Sequence, residues 1–192
     1  MSDFIKRLIG AKLLLPPLAG YTDYPFRRIL SEFDAPFICS EMINPVAFIR
    51  ESQRTMEMVK MVKGSHLTGV QLVGCEAESM GEAANRVESM GYDYIDINMG
   101  CIVKTVTRTG AGLALMEDTD KAVSVASAMV EAVNIPVTCK MRMGPIEANK
   151  NAATLSQDLV DAGVSAITVH GRTGEKKFGL NVNLEGIKEV VN

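Results

Sequence analysis

The amino-acid sequence predicts an α/β fold of the (β/α)₈ TIM-barrel type, here incomplete, with about six βα units. Short apolar runs alternate with longer segments of helical spacing, which is typical of strands and helices around a parallel sheet. Six units in 192 residues match the pace of such a barrel, which usually takes about 250 residues. The first run is not followed by the glycine-rich turn typical of a doubly wound sheet. We therefore expect residues 1–192 to form one domain, two strands short of barrel closure.

Each predicted strand is a short apolar run with glycine, proline or polar residues at its ends. The runs are Leu13–Leu18, Pro36–Ser40, Thr68–Val73, Tyr94–Asn98, Ile135–Lys140 and Ser165–His170. Side chains in a strand alternate between two faces, so residues two positions apart in a run should share a face.

The segments between the runs carry helix signals. Thr22–Pro25 is expected to open a helix, because proline is favoured in the first helical turn. Another predicted helix follows Asp118 or Thr119, each a suitable cap. Its apolar residues fall on one face, at positions 122, 125, 126, 129, 130 and 133. Gly91 and Gly163 are expected to end helices just before a strand.

Charge and composition argue against several classes of function. The formal net charge is −3 and the sequence pI is about 5.5, so any contact with RNA must be local. No stretch approaches the roughly 20 apolar residues that cross a bilayer, and no secretion signal is recognised, so we expect a cytoplasmic protein. The 4 cysteines are scattered and the histidines are His66 and His170, so no metal site is predicted.

Polar side chains occupy the carboxyl ends of the predicted strands. Gln71 lies in the third run, and Asn98, Lys140 and His170 end the next three. In a βα barrel these ends meet at one mouth, where the loops carry the reactive groups. A single polar residue at a strand end usually just meets solvent, but four such endings together favour a functional site.

Cys101 follows the fourth run directly and differs from the other cysteines in its surroundings. Lys104, Arg108 and the glycine-rich segment Gly110–Gly112 come soon after it. A thiol just past a strand end and close to cations can be reactive. The remaining cysteines lie in or beside predicted strands and are expected to be buried packing residues. They are Cys39, Cys75 and Cys139.

The chain resembles tRNA-dihydrouridine synthases through segments that occur in the same order along nearly its whole length. These segments are Pro17–Asp23, Pro25–Arg27, Ser40–Met42, Gln71–Gly74, Asp96–Cys101, Gly110–Gly112, Lys140–Gly144 and Val169–Thr173. The resemblance implies an FMN-binding catalytic domain over residues 1–192. It also implies that a uracil base in tRNA is reduced to 5,6-dihydrouracil, with FMN carrying hydride from NADPH.

The resemblance further implies a role for individual residues. Cys101 matches the cysteine that protonates carbon 5 of the base after reduced flavin gives hydride to carbon 6. Thiols in general suit this task, because an ordinary pKa of about 8.5 keeps them protonated at neutral pH. The implied cofactor-binding residues, with Lys140 as the cation beside the flavin ring, are Pro17, Leu18, Ala19, Gln71, Lys140 and His170. The implied substrate-binding residues are Asn98, which orients the uracil, and Arg142 and Arg172, which lie near base or phosphate.

A tRNA substrate sets two further expectations. The target base must be unstacked and swung into the pocket, because a flavin cannot reach it inside folded RNA. Cations at or after the strand ends are expected to hold the RNA backbone. They are Lys104, Arg108, Arg142, Arg172, Lys176 and Lys177. For the last two, ordinary solvated surface charge is an equal alternative.

The chain departs from the family pattern at Ile102, at its end, and around residues 179–183, where the acidic-tryptophan pair often seen in the family is missing. Ile102 stands where these enzymes usually have a proline after the cysteine, so the loop lacks the stiffness that a proline gives. The sequence ends at Asn192, before the expected barrel strands 7 and 8 and the helical tRNA-binding domain. We therefore expect either a fragment of a longer protein or a truncated gene product.

Two alternatives stay open at this point. Another FMN barrel that acts on a free pyrimidine would share the flavin contacts but would need no cations facing RNA. A non-catalytic remnant would keep the fold and bind no flavin. Activity on tRNA compared with free pyrimidines distinguishes the first alternative, and visible flavin absorbance distinguishes the second.

Overall fold

The computed structural model describes residues 2–64, 66–176 and 181–191. Its centre is a parallel sheet of five strands, which are β1 (Phe37–Ile43), β2 (Leu67–Leu72), β3 (Tyr94–Met99), β4 (Val137–Arg142) and β5 (Ala166–His170). The helices are α1 (Asp3–Gly10), α2 (Tyr24–Glu32), α3 (Pro45–Ile49), α4 (Gln53–Met58), α5 (Ala77–Ser89), α6 (Lys104–Thr107), α7 (Thr119–Ala132), α8 (Ala152–Asp161) and α9 (Leu184–Val191). A 3₁₀ helix covers Gly112–Met116.

The strands lie in the order in which they occur along the chain, and each pairs in parallel with the next. Helices connect them, as parallel neighbours require. A doubly wound sheet reverses its strand order at a switch point, whereas a barrel arc does not. The α/β class is therefore confirmed, and the order is that of part of a TIM barrel.

The first predicted strand, Leu13–Leu18, is wrong, since this segment pairs with no strand among the described residues. Pro16 and Pro17 have no amide hydrogen, so two successive positions cannot donate to a neighbouring strand. The leucines before them gain little from burial, and Leu13 is 85% exposed. The other predicted strands are confirmed within three residues at each end, so the described residues form five strands in place of the six predicted.

The predicted helix boundaries agree with the structure. Asp23 caps α2 by accepting a hydrogen bond from the backbone N–H of Phe26 at 2.9 Å. Asp118 caps α7 through the N–H of Lys121 at 3.1 Å. After α5 and α8, Gly91 and Gly163 have φ angles of +84° and +95°, a left-handed conformation that glycine adopts without strain.

The main core lies between the sheet and helices α5, α7 and α8. From β3, Ile95, Ile97 and Met99 are fully buried on that side, and they alternate with residues that face the other way. The apolar face predicted for α7 is buried at Ala122, Val125, Ala126 and Met129. Among the described helices, none is long and apolar enough to cross a membrane.

A small aromatic cluster lies on the opposite face of the sheet, toward the amino ends of the strands. Phe4 from α1 packs edge-on against Phe37 of β1, with ring centroids 5.5 Å apart and an interplanar angle of 87°. Tyr94 of β3 completes the cluster at 5.6 Å and 5.8 Å from the two phenylalanine rings. Such edge-to-face contacts stabilise a pair by about 0.5–1.5 kcal/mol beyond burial. The sequence analysis did not predict this packing of α1.

We expect Ile97→Ala to lower the free energy of unfolding by about 2–5 kcal/mol, because it opens a cavity between the sheet and the helices. The matched control is Val160→Ala on α8, where the side chain is 51% exposed and the loss should stay below about 0.5 kcal/mol. Chemical denaturation monitored by circular dichroism measures both variants. Equal losses in the two would contradict this description of the core.

Candidate active site

Polar side chains gather on one face of the sheet, toward the carboxyl ends of the strands. The register pairs Gln71 with Asp96 and Asn98 with Lys140. Paired residues in a parallel ladder share a face, and so do residues two positions apart in one strand. His170 of β5 pairs in register with Arg142, two residues after Lys140 in β4, so it lies on the same face. The structure therefore brings the four polar strand ends of the sequence analysis to one side.

The centre of this polar layer is the carboxylate of Asp96, which is 6% exposed. One oxygen accepts a hydrogen bond from Nε2 of Gln71 at 2.7 Å, and the other accepts one from Oγ1 of Thr138 at 2.6 Å. Burial raises the pKa of Asp96, while these two hydrogen bonds and the charge of Lys140 act in the opposite direction. Both oxygens of the buried carboxyl group thus have partners.

Asn98 connects this layer to the loop that carries Cys101. Its Nδ2 donates to Oε1 of Gln71 at 2.8 Å. Its Oδ1 accepts from the backbone N–H groups of Gly100 at 3.1 Å and Cys101 at 2.9 Å. The asparagine that was predicted to orient the substrate therefore also fixes the backbone of Cys101, whose side chain is half-buried.

The loop after Cys101 closes tightly over it. The carbonyl of Cys101 accepts from the N–H of Leu113 at 2.9 Å. Gly112 has a φ of +62°, and a Cβ added there would lie 2.8 Å from that same carbonyl oxygen, so a larger residue does not fit. Ile102, which replaces the expected proline, packs against the main core. The loop lacks the rigidity of a proline, and apolar packing and hydrogen bonds fix its position instead.

Arg142 ties two of the strand-end loops together. Its Nε donates to the carbonyl of Gly100 at 2.9 Å, and its Nη1 donates to the carbonyl of Thr173 at 3.0 Å. The side chain is only 5% exposed, and burial lowers its pKa, with repulsion from Arg172 adding to the effect. Arg142 was predicted to contact substrate, and the structure shows that its guanidinium also supports the Cys101 loop.

His170 lies among cations and is held neutral. Nη1 of Arg172 donates to Nε2 of His170 at 3.0 Å, so the ring proton belongs on Nδ1. Burial is the main cause that lowers the pKa of His170 to about 4, and the charges of Arg142, Lys140 and Arg172 lower it further. At neutral pH the imidazole therefore has one donor and one acceptor nitrogen.

The predicted flavin-contacting backbone of Pro17, Leu18 and Ala19 enters a tight turn. The Oγ1 of Thr22 accepts from the N–H of Leu18 at 3.0 Å and donates to the carbonyl of Leu18 at 3.2 Å. Pro17 is half-buried, whereas Leu18 and Ala19 are exposed. A carboxylate oxygen of Glu41 accepts from the backbone N–H of Gly20, and this bond joins the turn to β1.

Arg27 was not singled out from the sequence, but it holds this turn from behind. Its guanidinium is 2% exposed and donates to the carbonyls of Thr22 at 3.1 Å, Lys60 at 2.8 Å and Met58 at 2.6 Å. Met58 is the last residue of α4 and Lys60 lies two positions beyond it, where backbone carbonyls have no partner within the helix. Arg27 lies in the segment Pro25–Arg27, which resembles the family pattern, but its partners 31 and 33 positions away could not be predicted from the sequence.

A cavity of about 260 Å³ opens on the polar face of the sheet. One wall is apolar and comes from α1 and the extended segment before the turn, including Phe4 and Pro17. The opposite wall is the sheet, where Asp96 and Lys140 contribute charge. Burial lowers the pKa of Lys140, and the nearby carboxylate raises it. A flat, mostly apolar ring with a polar edge matches these walls.

A second cavity, of about 290 Å³, lies beyond the ends of β4 and β5. Arg172 lines it together with Lys150 and Lys176, and both lysines pair with Glu147 at 3.2 Å and 3.1 Å. A hydrogen bond from Thr173 is the main cause that lowers the pKa of Glu147 to about 2. Arg172 therefore lines a different cavity from Lys140.

Other predicted residues lie apart from these cavities. Lys104 and Arg108 are exposed on and after α6, and Lys177 lies outside the described residues. Cys39, Cys75 and Cys139 are buried as expected, and burial raises the pKa of each of these thiols. In the described parts of the chain, no three His, Cys, Asp or Glu residues form a group able to hold a metal ion.

We expect the His170 ring to stay neutral throughout the neutral pH range and Arg172→Gln to raise its pKa. The substitution removes both a repelling charge and the hydrogen bond to Nε2. Proton NMR of the imidazole during a pH titration measures the change. Arg108→Gln, at an exposed position, is the control and should leave His170 unchanged. A wild-type ring that titrates like a free histidine would contradict the assignment.

We expect Asp96→Asn to be at least as stable as the wild type at neutral pH. A carboxyl group whose folded pKa is raised adds stability below its unfolded pKa and loses it as pH rises through the folded value. The advantage of the amide should therefore shrink as the solution is acidified. Denaturant unfolding at several pH values measures it, and a deficit that is largest at neutral pH would contradict the direction.

Comparison with known proteins identifies the family of the chain. Residues 14–192 match the family model described as dihydrouridine synthase (Dus). The chain is 40% identical over 183 residues to a probable tRNA-dihydrouridine synthase of Rickettsia bellii, covering 95% of this chain and 56% of that protein. It is 34% identical over 179 residues to tRNA-dihydrouridine synthase B of Escherichia coli, covering 93% and 56%. The chain spans about half the length of these relatives, and it belongs to the dihydrouridine synthase family.

Proposed function

We propose that this chain carries the flavin-facing and proton-donating part of an enzyme that reduces uridine in tRNA to 5,6-dihydrouridine, with FMN and NADPH. The observation that carries the proposal is the arrangement of Cys101, whose backbone is held by Asn98 at the edge of the polar layer that contains Gln71 and Lys140. Relatives named as tRNA-dihydrouridine synthases support the same reaction. A tRNA substrate assigns the reaction to the cytoplasm.

The residues present fit FMN. Pro17 and Lys140 line opposite sides of one cavity of about 260 Å³, which offers an apolar wall and a cation to a flat ring. Gln71 has one N–H left after its bond to Asp96, and neutral His170 keeps its Nδ1–H as a donor, although these two residues lie on the same face of the sheet without lining this cavity. When bound, FMN supplies the transfer of hydride from NADPH to the base. Lys140 balances negative charge on the reduced ring.

Cys101 supplies the proton in this proposal. Asn98 holds its N–H and Leu113 holds its carbonyl, so the residue is fixed on both sides while its side chain stays half-buried. A fixed donor matters because proton transfer requires the thiol within hydrogen-bond reach of carbon 5 of the base. The other described cysteines are buried and take no part.

Arg172 and the cations near it are the proposed contacts for the RNA backbone. It lines the cavity of about 290 Å³ beyond β4 and β5, next to Lys150 and Lys176. Phosphate groups pair readily with guanidinium and ammonium groups. With a net charge of −3, RNA binding has to concentrate on such a local surface.

A free pyrimidine is the second candidate substrate, and Glu147 favours it. This carboxylate pairs with both Lys150 and Lys176, so the cavity has less positive charge for RNA than its lysines suggest. The two candidates share the flavin site and differ only in the substrate. Assays with tRNA that lacks dihydrouridine and with free uracil or dihydroorotate therefore separate them.

We expect the chain to take up FMN, shown by visible flavin absorbance, and Cys101→Ala to leave this uptake and flavin reduction by NADPH unchanged. Reduction of tRNA uridine should fall by about a hundredfold or more, since a positioned acid contributes at least that factor. The matched control, Cys139→Ala, removes a thiol from the opposite, buried face and should retain the activity. Unchanged tRNA turnover in Cys101→Ala would overturn the assignment, and failure to bind FMN would favour a non-catalytic chain.

A further inference from the structure

Asp96 is buried and is connected to the backbone N–H of Cys101 by three successive hydrogen bonds. The proposed chemistry gives it no role. Its carboxylate accepts from Gln71, Gln71 accepts from Asn98, and Asn98 accepts from the N–H of Cys101. The distances along this path are 2.7, 2.8 and 2.9 Å, all within the ordinary range. We call these groups the amide relay.

The relay has a direction because a carboxylate can only accept hydrogen bonds. Asp96 therefore requires the NH₂ end of Gln71, which turns the carbonyl of that amide toward Asn98. The carbonyl of Gln71 in turn requires the NH₂ end of Asn98, which turns Oδ1 toward the Cys101 loop. Gly100 and Cys101 both donate to that oxygen. Each amide is thus oriented by its neighbours on both sides.

Burial makes this orientation matter. Gln71 is 1% exposed and Asp96 is 6% exposed, so water cannot replace a lost partner at little cost. Hydrogen bonds to an ionised group are roughly twice as strong as neutral ones, and Asp96 provides such a bond at the start of the relay. Burial raises the pKa of Asp96, because it disfavours the charged form. Stability alone therefore does not favour an acidic side chain at this position.

We propose that Asp96 is a positioning residue that fixes the Cys101 backbone through Gln71 and Asn98. Its carboxylate lines the cavity of about 260 Å³, and the role proposed here acts through Gln71 and Asn98 rather than through contact with the base. Its contribution to the reaction, which rests on the proposed function, is to keep the Cys101 thiol at the distance that proton transfer requires. The effect on the Cys101 backbone does not depend on that function and is measurable in the protein alone.

Three substitutions test the relay. Asp96→Leu removes the acceptor at its start, and Gln71→Met interrupts it in the middle with a side chain of similar shape. Asp96→Asn keeps an oxygen for Gln71 and is the conservative rescue. The matched control is Asp93→Leu, directly before the first residue of β3, where the carboxylate accepts from the N–H and hydroxyl of Thr68 at 2.7 and 2.9 Å.

The first measurement is hydrogen exchange of the backbone amides of Gly100 and Cys101, followed by NMR. Loss of one net hydrogen bond corresponds to about a fivefold change, so exchange should quicken by about that factor in Asp96→Leu and Gln71→Met. Asp96→Asn should stay close to the wild type, and Asp93→Leu should leave both amides unchanged. Should Asp96→Leu fail to fold, Gln71→Met provides the same test.

A double-mutant cycle with Asn98→Ala shows whether Asp96 acts along the relay. In the Asn98→Ala background the last link is already missing, so Asp96→Leu should add nothing to the exchange rate at Cys101. Additive effects of the two substitutions would overturn the proposal. So would wild-type exchange at Gly100 and Cys101 in both Asp96→Leu and Gln71→Met.

Turnover of tRNA separates this inference from the proposed function. If the wild type reduces tRNA, Asp96→Leu should lower kcat about tenfold with little change in KM, and Asp96→Asn should restore most of it. Normal kcat in Asp96→Leu, with an active wild type, would overturn the positioning role and leave the function intact. An inactive wild type with faster exchange in the variants would refute the function and leave the relay intact.

Discussion

The register of β3 against its two neighbours is the constraint on which the site depends. Asp96 and Asn98 face the polar side only because Ile95, Ile97 and Met99 are buried on the other side. A slip of one residue would exchange the two sets, placing a carboxylate in the apolar core. The same packing that holds the sheet together therefore specifies which side chains meet at the site.

The site is assembled mainly by side chains that bond to backbone groups. Arg142 bridges the loops after β3 and β5, Arg27 joins the turn after residue 17 to the end of α4, and Asn98 fixes the loop after β3. Each uses buried donors or acceptors that would otherwise lack partners. Loops without regular structure thereby gain defined positions next to the strands.

Much of this arrangement could be predicted from the sequence, because it follows from local rules. Alternation within strands placed Gln71, Asn98 and Lys140 on one face, and capping residues marked the starts of α2 and α7. The prediction of a strand at Leu13–Leu18 was wrong, because this apolar run contains two prolines that cannot donate to a neighbouring strand. The partners of Arg27 and the packing of α1 could not be predicted, since they depend on contacts between segments distant in sequence.

An aromatic layer forms the floor of the apolar cavity of about 260 Å³. Phe4, Phe37 and Tyr94 form a ring-to-ring layer at the amino ends of the strands, where α1 lies across the sheet. These three rings line the cavity toward the amino ends of the strands, so they limit how deeply a molecule can enter between the sheet and the Pro17 segment. Helix α1 contributes no polar group to the site, yet its Phe4, together with Phe37 and Tyr94 from the sheet, limits how far a bound ring can enter.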